Sequence, residues 1–180
     1  MRRLLIISFA LLFATVMPGF AAEEPAGFRT EHYRAPTPQT ITGGTMISVQ
    51  EAKKIHDAGD AIFVDTYETR VQWMADFKEW AIGEGHESLP GAFWLPGTGI
   101  HPLKPMMEKF LKDSLFEITK GDKSRKIVVF CRSDCWLGWN VARKAISYGY
   151  TNILWMRDGT DGWAQAGYPM VDGEPHPLEK

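Results

Sequence analysis

Lys126 is followed by Ile127, Val128, Val129 and Phe130, four apolar residues with nothing polar alternating between them. A strand with one wet face alternates, so an uninterrupted run of this length reads as a strand covered on both faces. That geometry belongs to parallel sheets flanked by helices. The rest of the chain agrees. Residues 61–65 and 92–95 are further short apolar runs, the second entered through Leu89, Pro90 and Gly91, and residues 152–156 form another. Between them lie helical patterns. Ser48 with Glu51 makes a capping box, continued by Ala52, Ile55 and His56 up to Gly59. Met106, Met107, Phe110, Leu111, Leu115 and Ile118 recur at helical spacing, and residues 141–148 form a helix stopped by Gly149. Strands alternating with helices give an α/β fold with a mostly parallel central sheet and helices on both faces. With 180 residues, 44% of them hydrophobic, there is material for one core and little for a second.

The ends are organised differently. Arg2 and Arg3 precede an apolar run from Leu4 to Val16, then Pro18, Gly19 and small residues. This three-part pattern is that of a secretory signal peptide over residues 1–21, cut between Ala21 and Ala22. The run is shorter than the roughly 20 residues a membrane span needs. The expected location is therefore the periplasm, with no membrane attachment after cleavage. Residues 22–44 read as an extended leader rich in Pro, Thr and Gly, lying over the domain surface. The domain follows over residues 45–175, and residues 176–180 form a tail. The 20 basic against 22 acidic residues give a net charge of -2, and cleavage moves it to about -4. That balance excludes a nucleic-acid partner.

Chemistry concentrates at the end of the 127–130 strand. The chain has two cysteines, Cys131 and Cys135, separated by Arg132, Ser133 and Asp134 and followed by Trp136 and Leu137. Two thiols exclude a disulfide scaffold and a four-cysteine metal site. Sites of open parallel sheets lie at the carboxyl edge of the strands, where Cys131 sits. Loop N–H groups and the N-terminus of the next helix favour thiolate, lowering Cys131 below the ~8.5 of a free thiol. Cys131 is thus a candidate nucleophile, with Cys135 as its resolving partner. Arg132, Ser133, Asp134, Trp136 and Leu137 supply the surrounding substrate-binding loop. The alternative use of the pair is structural, as a disulfide fastening the loop of an exported binding module. Cα atoms four residues apart on a tight loop fall within the ~4.4–6.8 Å that a disulfide tolerates.

Other readings of the loop fail on spacing. A cysteine phosphatase needs an arginine where Leu137 stands, and a haem attachment needs a histidine where Trp136 stands. His32, His56, His86, His101 and His176 are scattered without metal-ligand spacing, so neither a metal nor a cofactor is expected. His86 reads as an ordinary loop histidine, although Leu89, Pro90 and Gly91 nearby offer it a route to the site. Asp65, ending its strand, is read as structural support that accepts hydrogen bonds from loop amides. Arg70 is a weaker candidate for a second substrate contact. Trp136, Trp139, Trp155 and Trp163 are packing around the loop.

Several stretches in order resemble the rhodanese-like sulfurtransferase domain over roughly residues 45–172. They are Phe63-Val64-Asp65, Leu89-Pro90-Gly91-Ala92, Val128-Val129-Phe130-Cys131-Arg132-Ser133, Gly149-Tyr150-Thr151-Asn152-Ile153, Asp161-Gly162-Trp163 and Ala166-Gly167-Tyr168-Pro169. The resemblance implies that Cys131 accepts a sulfane sulfur from a small donor or a protein thiol and becomes a persulfide, its terminal sulfur cradled by loop amides. Tyr33-Arg34-Ala35-Pro36, the loop through Trp136, and residues 155–163 also resemble a narrower group. These are the exported CXXCW-motif proteins associated with PQQ-dependent catabolism, which accompany periplasmic quinoprotein alcohol dehydrogenases and c-type cytochromes. That likeness implies an accessory role in PQQ-dependent alcohol oxidation, either catalytic or as a partner-binding assembly factor. The loop departs from the group's name, with three residues between its thiols, and Asp134 and Trp136 disfavour thiosulfate as substrate.

Overall fold

The computed structural model describes residues 22–68, 71–74 and 79–178. The export segment over residues 1–21 and the candidate contact Arg70 lie outside the described residues. A five-stranded parallel sheet has the order β1 (Thr45–Ile47), β8 (Ile153–Met156), β7 (Ile127–Phe130), β2 (Ile62–Asp65) and β6 (Phe93–Trp94). The helices are α1 (Val49–Asp57), α2 (Pro105–Thr119), α3 (Trp136–Ser147) and α4 (Gly159–Gln165). Two antiparallel pairs stand apart from the main sheet: β3 (Val71–Met74) with β4 (Glu79–Ile82), and β5 (Glu87–Ser88) with β9 (Val171–Asp172).

Period-two alternation divides the core into two layers. Val64, Ile127, Val129, Ile153 and Trp155 point to one side of the sheet, where Phe110, Leu111 and Leu115 of α2 and Trp139, Val141 and Ala142 of α3 meet them. Phe63, Val128, Phe130 and Met156 point to the other side, against Val49 and Ala52 of α1 and Trp163 of α4. All four residues of β7 are fully buried, as their unbroken apolar run requires. The sheet is mostly parallel with helices on both faces.

Local signals act where the sequence places them. Ser48 caps α1 and Glu51 returns the bond to the Ser48 backbone, completing the capping box. Pro105 opens α2 at its first turn, where no N–H is needed. The helix read over residues 141–148 begins earlier, at Trp136, directly on the cysteine loop. The segment expected to be a tail starts in packed structure: His176 N–H donates to Trp94 O at 2.7 Å, and its own carbonyl accepts from Trp80 Nε1 at 2.8 Å.

The residues before β1 lie over α3. Asn140, fully buried on that helix, accepts from Arg29 N–H at 3.0 Å and donates to Arg29 O at 2.8 Å and to Gly99 O at 2.7 Å. One side chain thereby ties the leader and the loop after β6 to the helix that begins at Trp136.

Candidate active site

In register, Asp65 pairs with Phe130, so β2 and β7 end side by side and Cys131 emerges beside the β2 end. Cys131 and Cys135 are joined by a disulfide with their Cα atoms 6.1 Å apart, and each is only 2% exposed. Leu137 packs against both, with Tyr33, Tyr67 and Ile100 around them. Cys135 is the N-cap residue of α3, and no acidic residue occupies the first turn of that helix.

The loop is held from two directions. From the α4 side, Thr160 N–H donates to Cys131 O at 2.9 Å, and Ser133 Oγ donates to Asp158 O at 2.9 Å. Asp161 accepts from Arg132 Nε at 3.0 Å and from the Ser133 amide at 3.2 Å. From the leader side, Arg34 and Cys135 form an antiparallel bridge, closed by Ala35 N–H to Asp134 O at 3.1 Å and Trp136 N–H to Tyr33 O at 2.9 Å. Arg34 Nη1 adds a bond to Ser133 O at 2.7 Å. Two loop amides expected to cradle sulfur, those of Ser133 and Trp136, are therefore bonded to Asp161 and Tyr33 instead.

Asp65 is fully buried, with both oxygens hydrogen-bonded. Its Oδ1 accepts from Tyr67 N–H at 2.8 Å, and its Oδ2 accepts from Ser88 Oγ at 2.5 Å and from His86 Nε2 at 2.6 Å. Facing a carboxylate, that ring nitrogen carries the proton. The His86 ring lies 4.6 Å from Tyr67 and 4.9 Å from Trp94. His86 thus supports the site through Tyr67, the less expected of its two readings. Tyr67 in turn sits under Arg132, 5.4 Å from guanidinium carbon to ring centre, and Arg132 Nη1 donates to Tyr67 Oη at 3.4 Å. Those hydrogen bonds, first to Tyr67 and then to Asp161, push the Arg132 guanidinium further above its usual pKa.

A cleft of about 590 Å³ lies against this loop. Its walls are His32, Tyr33 and Arg34 of the leader, Tyr67 and Glu68 after β2, and Arg132, Cys135 and Leu137 of the loop. The structure therefore brings Arg132, Cys135 and Leu137 together at one cleft. Ser133 opens onto a different depression beside α4, and Asp134 is exposed with a positive φ of 49°. Trp136 is buried in the main core, edge-on to Trp139 at 5.4 Å, with Arg29 over its ring. Trp139, Trp155 and Trp163 are also core residues. Tyr33, Arg34, Tyr67 and Asp161 were not singled out as site residues by the sequence. Their signal is three-dimensional, since each reaches the loop across 28 or more residues.

A profile of the rhodanese-like domain matches residues 48–166, and the chain belongs to that family. Among solved structures it is similar to a thiosulfate sulfurtransferase from Pseudomonas aeruginosa, at 20% identity over 73% of this chain and 21% of that one, TM-score 0.49. It is also similar to the polysulfide-sulfur transferase homodimer of Wolinella succinogenes (18% identity, 74% and 82% covered, TM-score 0.45). A third likeness is to a human single-domain sulfurtransferase (19% identity, 67% and 95% covered, TM-score 0.44). The chain spans about a fifth of the length of the Pseudomonas aeruginosa enzyme. No curated protein matches it.

Proposed function

We propose that the protein carries out sulfane-sulfur and thiol–disulfide chemistry at Cys131 and Cys135, in the periplasm, as an accessory to PQQ-dependent alcohol oxidation. The observation that carries the chemical part is the disulfide on the loop between β7 and α3, beside a cleft. Membership of the rhodanese-like family supports sulfur as the element handled. The location and the PQQ context rest on the pattern of residues 1–21 and on the narrower resemblance. The partners that context suggests are a quinoprotein dehydrogenase or a c-type cytochrome.

In the reduced pair, one thiolate attacks a terminal sulfur of a polysulfide, displaces a chain shorter by one sulfur, and becomes a persulfide. The family resemblance gives this acceptor role to Cys131. The second thiolate then attacks the cysteine-bound sulfur of the persulfide, closing the disulfide and releasing hydrosulfide. A partner dithiol returns the pair to the reduced state and is itself oxidised to a disulfide. No metal or cofactor is invoked.

The test is sulfide release. Reduced wild-type protein given polysulfide should release hydrosulfide and return to the disulfide. Cys135→Ser should stop at a persulfide, heavier by one sulfur in intact mass, and Cys131→Ser and the double-serine variant should do neither. Absence of sulfide from the wild type and of persulfide from Cys135→Ser would sink the proposal.

A second reading is favoured by the bonds from Tyr33, Arg34 and Ala35 to the loop. In it the loop and leader, held by these bonds as well as by a structural disulfide that does no chemistry, form a docking surface for the dehydrogenase or cytochrome. Capture of either partner from periplasmic extract by wild-type and double-serine protein alike, but not by leader-deleted protein, would support it.

A further inference from the structure

A second cavity, of about 410 Å³, adjoins the cysteine cleft. Glu68 lines both spaces, and Ile100 lines the cavity while packing against the cluster of Cys131, Cys135 and Leu137. The volume is that of a small-molecule site, and the remaining walls are mostly apolar. They include Trp80 of β4, Leu103, and Met106 and Met107 at the start of α2. The wall that touches the cysteine cluster is fixed. Lys144 donates to Thr98 O and Ile100 O, and Asn140 donates to Gly99 O, so three successive carbonyls of this loop are tied to α3. A Cβ on Gly99 would lie 2.4 Å from Leu137 Cβ, so glycine lets the loop backbone lie directly on the first turn of that helix. The α2 wall is adaptable. Methionine side chains are flexible and polarisable, and Met106 is left 51% exposed.

We propose that this cavity holds the organic group of the sulfur donor, and that the donor is a hydropersulfide RSSH whose R is an uncharged alkyl or aryl group. This rests on the sulfur chemistry proposed above and names its substrate. The continuity of the two spaces decides the occupant. A molecule with its outer sulfur in the cleft has the cavity beside it for its remaining atoms, and apolar walls make a charged group there costly. Inorganic polysulfide would leave the cavity unused. The Cys131 thiolate attacks the outer sulfur of RSSH, the bond between the donor's two sulfurs breaks, and RS⁻ leaves. Cys131 is then a hydropersulfide. The Cys135 thiolate attacks its cysteine-bound sulfur, closing the disulfide and releasing hydrosulfide. The donor's outer sulfur is reduced to HS⁻, and the two cysteines are oxidised to the disulfide.

The experiment measures how fast the reduced wild-type protein loses its two thiols to methyl hydropersulfide and to n-hexyl hydropersulfide. Burial of the added methylenes should make the hexyl donor about tenfold or more faster below saturation. The ratio is taken within each protein. Met106→Gln/Met107→Gln, which keeps side-chain length and exchanges thioether for amide, should bring it below about threefold. In parallel, 1-hexanol added to the disulfide form of the wild type should shift the 13C-labelled methyl groups of Met106 and Met107. The methyl of Met156, packed on the other side of the sheet, should not move. Equal rates for the two donors, an undiminished ratio in the glutamine variant, or hexanol shifts that miss Met106 and Met107 overturn the inference. The two wild-type measurements decide it even if the variant fails to fold. Polysulfide that still yields sulfide in any of those cases leaves the proposed chemistry standing. If neither polysulfide nor either hydropersulfide closes the disulfide, that chemistry fails and the inference falls with it.

Discussion

Strands β2 and β7 end side by side, and each has a residue capable of chemistry at its end. At the end of β2 it is Asp65, and both of its oxygens are taken by Tyr67, His86 and Ser88. After β7 it is Cys131, bonded to Cys135, which lines a cleft. A buried carboxylate with both oxygens hydrogen-bonded is a scaffold, because any substrate would have to displace bonds that burial has made costly to lose. A sulfur–sulfur bond lining a cleft keeps its chemistry available. Position at the carboxyl edge of a parallel sheet therefore identifies the region of a site. Which groups are left unsatisfied at the cleft identifies the reactive one.

The contrast can be attacked at each loop in turn. The largest effect is expected from Gly159→Ala. The new Cβ would lie 2.2 Å from Cys131 O, at a φ of +53° that suits glycine. Overpacking and backbone strain together should cost about 4 kcal/mol in urea unfolding, and polysulfide turnover should fall with it. A variant as stable as wild type would mean that the α4 side does not fix Cys131. Asp65→Ala should lose about 3 kcal/mol by leaving Ser88, His86 and the Tyr67 amide without their acceptor. At temperatures where it stays folded, its rate of disulfide reduction should change by about threefold at most, since Asp65 bonds to neither cysteine and reaches the cleft only through Tyr67. A large fall in that rate at constant fold would erase the distinction between the loops.

The smallest effect is a slope. Lys144 on α3 is buried, and its ammonium donates to Thr98 O at 2.8 Å and to Ile100 O. Burial lowers its pKa from 10.5 to about 8. Between these values the unfolded chain binds more protons than the folded one, so this contribution to stability rises as pH rises from about 8 to 10.5. The rise is at most about 1.4 kcal/mol per pH unit. Unfolding free energies for wild type and Lys144→Met across that window should diverge as pH increases. Parallel curves would show that the ammonium is not desolvated in the folded state.

What the sequence made legible follows from how far each signal reaches. The β7 run, the capping box at Ser48 and the stripe of α2 are local patterns, and each produced its element. The cysteine loop was legible because a strand, two thiols and a helix start adjoin in sequence. Its environment was not. Asn140 reaches Arg29 across 111 residues and Arg34 reaches Ser133 across 99, contacts that no periodicity encodes. The leader could be read as lying over the domain but not as bridged to the loop at Arg34. Trp136, adjacent to Cys135, reads as a loop contact. Its burial follows from α3 beginning at that residue and turning its ring toward Trp139. Asp65 was read as support for loop amides; it accepts from one amide, that of Tyr67, and its bonds to His86 and Ser88 depend on β5, a two-residue strand too short to leave a pattern.

The central claim is that the Cys131–Cys135 bond is reactive and does not merely fasten its loop. Its reduction potential tests this most directly, measured by equilibrating the protein with a dithiol redox buffer and counting free thiols by mass after alkylation. A reactive pair should lie between about −120 and −270 mV, the range of catalytic protein disulfides. A potential below about −300 mV would mark a structural disulfide and contradict the claim.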